Sequence, residues 1–111
     1  MDCKPLGWVG RARDDLREFP VDASRIAGKE LLRVQLGHDP KDWKPMTSVG
    51  PGVKEIRIHT EREHRLIYVA KFAEAIYVLH AFTKKSRRTA SRDIEIAGIR
   101  YRQLVASRGK P

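Results

Sequence analysis

Three short stretches in the middle of the chain constrain the fold most, because each follows the pattern of a β-strand. In Val53–His59, Ile56 and Ile58 alternate with polar residues, so the apolar side chains share one face of an extended strand. Residues 65–72 and 76–82 are rich in β-branched and aromatic side chains, which favour strands. The connections between the stretches are short. The sequence therefore predicts three consecutive antiparallel strands.

Helical patterns flank these strands on both sides. Residues 8–19 and 21–36 place apolar side chains three to five positions apart, which is the spacing of an amphipathic helix. Pro20 separates the two segments, and Gly37 is placed to end the second helix. After the strands, Thr89 is placed as the N-cap of a last helix.

The order of these elements predicts the class of fold. Residues 38–52 contain three prolines and predict a loop between the second helix and the first strand. We therefore expect an α+β fold with two N-terminal helices, a three- to four-stranded antiparallel sheet and a C-terminal helix. The helices are expected on one face of the sheet, and residues 1–111 are expected to form one domain.

The positive charge is concentrated near the C-terminal end. The sequence has 23 Lys and Arg against 14 Asp and Glu, a net charge of +9 at pH 7. Residues 84–111 alone hold nine basic and two acidic residues, a net +7. Such a face suits a polyanion such as nucleic acid or an acidic protein partner, although a solvated basic helix carries the same charge.

Several classes of function lack the residues that they require. The chain has no Gly-rich phosphate-binding loop, and its four histidines show no metal-ligand spacing. Cys3 is the only cysteine, which excludes an internal disulfide and a cysteine zinc cluster. No apolar run reaches the roughly 18 residues of a membrane span, and we expect no secretory signal. A cytoplasmic protein without a metal, a small-molecule cofactor or a membrane partner is expected.

Metal-free chemistry on an RNA phosphate matches the basic residues of the predicted strands. In that reaction the 2′-hydroxyl attacks the adjacent phosphorus, which requires a base, an acid and cations that stabilise the charged intermediate. Strand ends that are distant in sequence converge in an antiparallel meander. The candidate catalytic residues are Arg57, Arg65, His80 and Lys84. The candidate RNA-binding residues are Tyr68, Phe82, Lys85, Arg87, Arg88 and Arg92.

Most of these residues also have a structural interpretation. Arg57 alternates with core isoleucines and can be an exposed strand arginine. Arg65 can pair with Glu63 or Glu55 across the hairpin. His80 shares strand parity with apolar residues, which favours a partly buried, hydrogen-bonded histidine, and the two aromatic residues can belong to the core. The basic run after the third strand lacks such an alternative, because its four positive charges repel one another unless an anion binds.

Five short motifs occur in order along about half of the chain. They are Glu55-Ile56-Arg57, Arg65-Leu66-Ile67-Tyr68, Leu79-His80-Ala81-Phe82-Thr83-Lys84-Lys85, Arg88-Thr89-Ala90 and Asp93-Ile94-Glu95-Ile96-Ala97. Together they resemble the RelE/HigB toxins of bacterial type II toxin–antitoxin systems, and most closely the phage-derived branch of HigB-like proteins. The resemblance implies a RelE/ParE-like fold.

The resemblance also implies a function and a set of site residues. It implies a toxin that cuts mRNA on the ribosome as an endoribonuclease, inhibits translation, and is neutralised by a cognate helix-turn-helix antitoxin. Arg57, Arg65 and Lys84 would then be the active-site cations, with His80 and Lys85 in support.

The chain departs from the family pattern in two places. Ala90 stands where these toxins usually have proline, which affects only helix initiation. Some relatives carry a catalytic tyrosine or histidine near the C-terminus, and residues 107–111 include neither, so the sequence does not identify a general base. Two alternatives stay open. One is a ParE-like toxin that inhibits DNA gyrase without cutting RNA, and the other is a non-catalytic phage-derived module that binds RNA or protein.

Overall fold

The structure, a computed structural model, describes residues 3–109. Its elements are β1 (Leu6–Trp8), α1 (Ala12–Arg17), α2 (Val21–Gln35), β2 (Trp43–Pro45), β3 (Val53–His59), β4 (Glu63–Val69), β5 (Ile76–Lys84) and α3 (Ser91–Arg108). Lys110, which belongs to the predicted basic tail, lies outside the described residues. Within residues 3–109, none of the helices is long and apolar enough to cross a membrane.

The three predicted strands form the centre of a five-stranded sheet with the order β1-β5-β4-β3-β2. β3, β4 and β5 are antiparallel neighbours, as predicted, and Arg65 on β4 lies opposite Arg57 on one side and Phe82 on the other. β2 extends the sheet antiparallel to β3, whereas β1 runs parallel to β5. The α+β class is confirmed, but the sheet is mixed and has two more short strands than the predicted meander.

The parallel edge strand lies in a segment that the apolar spacing assigns to the first helix. Trp8 fits that helical spacing, yet Gly7 and Trp8 extend along β5, and α1 begins only at Ala12. A Cβ at Gly7 would lie 2.6 Å from the ring of Tyr77, so only glycine lets this strand approach β5 closely. Gly10, with a φ of 58°, then turns the chain into α1.

Helices cover both faces of the sheet, which corrects the predicted one-faced arrangement. Leu66 of β4 faces a core formed with α1 and α2, whereas the next residue, Ile67, faces a second core formed with α3. Both side chains are fully buried. A central strand that is apolar on both sides must be covered on both sides, and the unbroken apolar run of residues 66–70 is the sequence signal for this arrangement.

The start of the last helix also differs from the prediction. The N-cap of α3 is Ala90, which has no side-chain acceptor, and not Thr89. The hydroxyl of Thr89 instead donates to Oε2 of Glu55 at 3.1 Å. This bond ties β3 to the residue that directly follows residues 85–88, the exposed segment between β5 and α3 that we call the basic turn.

Candidate functional site

The basic residues of the central strands come together on the sheet face that carries α3. Alternation along β3 and β4 puts Arg57 and Arg65 on this face, and the strand register pairs them directly. Two residues further along, the next row across the sheet consists of His59, Glu63 and Lys84. The structure therefore brings together three of the four candidate catalytic residues at one end of the sheet.

Arg65 is the most deeply buried of these cations, with 2% of its surface exposed. Its Nη1 donates to Oε1 of Glu63 at 3.1 Å and to the carbonyl of His64 at 3.0 Å, and its Nε lies 3.6 Å from Oε1 of the buried Glu55. The structural interpretation, that Arg65 pairs with Glu63 and Glu55, is confirmed. Among residues 3–109, however, Nε of Arg65 and Oε1 of Glu55 have no hydrogen-bond partner, so this buried pair is not saturated.

Arg57 is more accessible than Arg65. Its side chain is 38% exposed, and its Nη1 lies 4.0 Å from Oδ1 of Asp42. The backbone N–H of Arg57 donates to the carbonyl of Asp42 at 2.9 Å, which fixes the segment before β2 against the strand. A weakly paired, partly exposed guanidinium of this kind is available to an anion.

Lys84 ends β5 and leads into the basic turn. Burial lowers the pKa of Lys84, and the positive charge of Arg65 lowers it further, so this lysine gives up its proton more readily than an exposed one. The next basic side chains, Lys85, Arg87 and Arg88, are exposed to solvent. The four cations therefore form one continuous positive edge.

A cavity of about 300 Å³ separates the basic turn from the start of α3. Five of the predicted site residues contribute to its lining, namely Phe82, Lys84, Lys85, Arg88 and Arg92. The ring of Phe82 also stacks on that of His80, with 5.0 Å between centroids. Phe82 is thus anchored on one side and reaches the cavity with part of its surface.

His80 belongs to a buried polar network and not to the open edge. Its Nε2 lies 2.8 Å from Oδ1 of Asp93 on α3, and its Nδ1 lies 3.4 Å from Oδ2 of Asp15 on α1. Arg100 donates to the same Asp15 oxygen at 2.8 Å. We call Asp15, His80, Asp93 and Arg100 the His80 network. His80 is 6% exposed, which agrees with the interpretation of a buried, hydrogen-bonded histidine.

Tyr68 lies on the opposite face of the sheet, which corrects its assignment as an RNA-binding residue. The side chain packs in the core formed with α1 and α2 and is 1% exposed. Burial raises the pKa of its hydroxyl far above the usual range. A ring with no accessible face cannot stack on a base.

The structure adds a second histidine group that the sequence did not single out. The two ring nitrogens of His59 donate to carboxylates, Nε2 to Oδ2 of Asp42 at 2.6 Å and Nδ1 to Oε1 of Glu63 at 2.8 Å. We call these three residues the His59 cluster. The hydrogen bonds to Asp42 and Glu63 raise the pKa of His59, because they favour the doubly protonated ring.

Part of the His59 cluster could be predicted from the sequence. His59 shares strand parity with Arg57, and the short turn brings it opposite Glu63. Asp42 comes from a loop, and its approach to His59 has no sequence signal. Among residues 3–109, no three His, Cys, Asp or Glu side chains are grouped so that they could hold a metal ion.

The fold and the positive edge formed by Lys84 and the basic turn define a small α+β protein with cations gathered at one end of its sheet. A family model described as phage derived protein Gp49-like (DUF891) matches residues 14–102, so the chain belongs to this family. The family is associated with RelE/HigB-type toxins, which supports the resemblance at a coarse level. The comparison with curated proteins finds no match to this chain.

Proposed function

We propose that this protein is the toxin of a type II toxin–antitoxin pair and that it cuts translated mRNA without a metal. Membership of a phage-derived family associated with such toxins supports the first part. The proposal includes a cognate helix-turn-helix antitoxin as the partner, the ribosome-bound message as the substrate and the cytoplasm as the place of action.

The observation that carries the nuclease part is the direct pairing of Arg57 with Arg65 on adjacent strands. Like charges directly opposite each other destabilise a sheet. Here Lys84 in the next row and the exposed basic turn increase the same charge. A site that binds a phosphodiester explains why so many cations are kept at one end of the sheet.

The proposed chemistry gives each cation a role. Arg57, which is partly exposed, contacts the incoming phosphate, and Arg65 stabilises the charge that develops on the phosphorane. Lys84 neutralises charge or transfers a proton, for which its lowered pKa is suited. The basic turn and Arg92 hold the neighbouring backbone by charge, so binding is expected to weaken with salt.

Inducible expression in a bacterial host tests the proposal. We expect growth arrest together with new mRNA 5′ ends inside translated reading frames. Arg57→Ala and Lys84→Ala are expected to abolish both effects. Arg13→Ala, which removes an exposed arginine of α1, is the matched control and should keep both. Circular dichroism of the purified variants establishes that they are folded.

The same experiment separates the alternatives. Arrest without new mRNA ends, accompanied by DNA damage signalling, would identify a gyrase inhibitor instead. Absence of both effects, with RNA binding that depends on Arg87 and Arg88 and not on Arg57, would identify a non-catalytic binding module.

A further inference from the structure

The carboxylate of Glu63 occupies a position that suits an anion with several oxygens. Its Oε1 lies 2.8 Å from Nδ1 of His59 and 3.1 Å from Nη1 of Arg65. Its Oε2 also lies 2.8 Å from Nδ1 of His59. On the other side of β4, the strand register places Lys84 directly opposite Glu63. One carboxylate is therefore held by two basic groups, His59 from β3 and Arg65 from β4, and the ion pairs within residues 3–109 do not join it to Lys84.

The groups that surround Glu63 are fixed independently of it. Arg65 is held by the backbone carbonyl of His64 and lies against the buried Glu55. The second ring nitrogen of His59 donates to Asp42 at 2.6 Å, which keeps the imidazole in place. Both basic side chains would keep their positions if another anion replaced the Glu63 carboxylate.

Glu63 itself is much less constrained. It is the first residue of β4, directly after the turn, and its side chain is 43% exposed. An open cleft of about 500 Å³ adjoins it, lined by Glu63, Arg65, Lys84, Lys85, Ser86 and Arg87. This volume admits a nucleotide, and because the Glu63 side chain is partly exposed, its carboxylate can turn toward solvent without disturbing the core.

We propose that His59 and Arg65, next to the cleft that Lys84 helps to line, form a phosphate subsite, which the carboxylate of Glu63 fills in the free protein and leaves when a phosphodiester binds. The identity of that phosphodiester as mRNA rests on the proposed function. The subsite does not depend on cleavage. Glu63 thus acts as an internal competitor that weakens binding until a polyanion with several contacts displaces it.

Affinity for RNA that cannot be cleaved tests the subsite. The probe is a short fluorescein-labelled 2′-O-methyl RNA, and the readout is fluorescence anisotropy. Glu63→Gln removes the competing charge, whereas Glu61→Gln removes an equal charge from an exposed residue of the same turn. Within residues 3–109, the ion pairs of His59 and Arg65 do not include Glu61, so E61Q is the matched control.

We expect E63Q to bind the RNA about tenfold more tightly than E61Q, since a carboxylate no longer competes for two charge-assisted hydrogen bonds. This gain should disappear in the double variant His59→Gln with Glu63→Gln. Equal affinities of E63Q and E61Q, or weaker binding by E63Q, would overturn the proposal.

A second probe separates this inference from the proposed function. Inorganic phosphate added to E63Q should shift the NMR signals of the His59 ring at lower concentration than in E61Q. If mRNA stays uncut in cells but both probes favour E63Q, the subsite stands and the nuclease function falls. If the wild type cuts mRNA and neither probe distinguishes E63Q from E61Q, the function stands and the subsite falls. Thermal melting confirms that both variants are folded.

Discussion

Two histidines on the same face of the sheet lie in contrasting surroundings. His80 lies beneath the first turn of α3, is 6% exposed, and contacts Asp15 and Asp93. His59 ends β3 next to a turn, has a side chain that is 50% exposed, and contacts two carboxylates that are themselves partly exposed. The difference teaches that a group of titratable residues is not in itself a functional site. The His59 cluster differs from the His80 network in two ways: solvent reaches it, and its partners can be replaced by another ligand.

The largest expected effect is the loss of stability when the His80 network is broken. His80→Ala leaves the buried Asp93 without its partner, so we expect the free energy of unfolding to fall by about 3 kcal/mol or more. His59→Ala removes two partly exposed ion pairs and should cost no more than about 1 kcal/mol. Urea unfolding followed by circular dichroism measures both. Comparable losses in the two variants would end the distinction between a structural and an open histidine.

The next largest effect is expected in the cleavage of mRNA when Lys84, at the end of β5, is replaced. Lys84→Ala should reduce cleavage of mRNA on purified ribosomes by about 100-fold, the size seen when one charge-stabilising donor is removed. Its stability should change by no more than about 0.5 kcal/mol, because the side chain is partly exposed. Lys29→Ala, an exposed lysine of α2, is the control. A loss of cleavage that follows a loss of folded protein would assign Lys84 a structural role.

The contrast also explains which parts of the molecule could be predicted. The short connections between the predicted strands were enough to expect that Arg57 and Arg65 converge, but their direct pairing depends on a strand register that alternation does not fix. Strand parity with apolar residues also favoured the interpretation of His80 as a partly buried, hydrogen-bonded histidine. Alternation also assigns Tyr68 to the face opposite Arg65 and Ile67, and only the apolar run through β4 indicates that both faces are covered.

Contacts made by loops and edges could not be predicted. The meeting of Asp42 with His59 depends on the path of a proline-containing segment, and β1 depends on the close approach of Gly7 to Tyr77. Thr89 satisfies the local rule for an N-cap, but it contributes its hydroxyl to a residue 34 positions away. Tertiary partners outweigh a local preference worth about 1 kcal/mol.

A smaller effect is expected where the basic turn is tied to the sheet. Thr89→Val removes the hydrogen bond to the buried Glu55 and should cost about 1 kcal/mol of stability. Amide hydrogen exchange should also become faster in the basic turn. Thr47→Val, at an exposed position, is the control and should stay within about 0.5 kcal/mol. Unchanged amide exchange in the basic turn would mean that Thr89 does not order this turn.

The smallest expected effect is a pH dependence of stability that comes from His59. Hydrogen bonds to Asp42 and Glu63 raise the pKa of His59, so the folded protein holds this proton more tightly than the unfolded chain. The resulting stability is fully present below the unfolded pKa of 6.5 and is lost as the pH rises through the higher folded value. Because the side chain is half exposed, water screens the interaction and the contribution stays below about 1 kcal/mol. The difference in unfolding free energy between the wild type and His59→Gln should therefore shrink as the pH rises above 6.5. A difference that grows over this range would show that the His59 cluster does not bind the ring in its charged form.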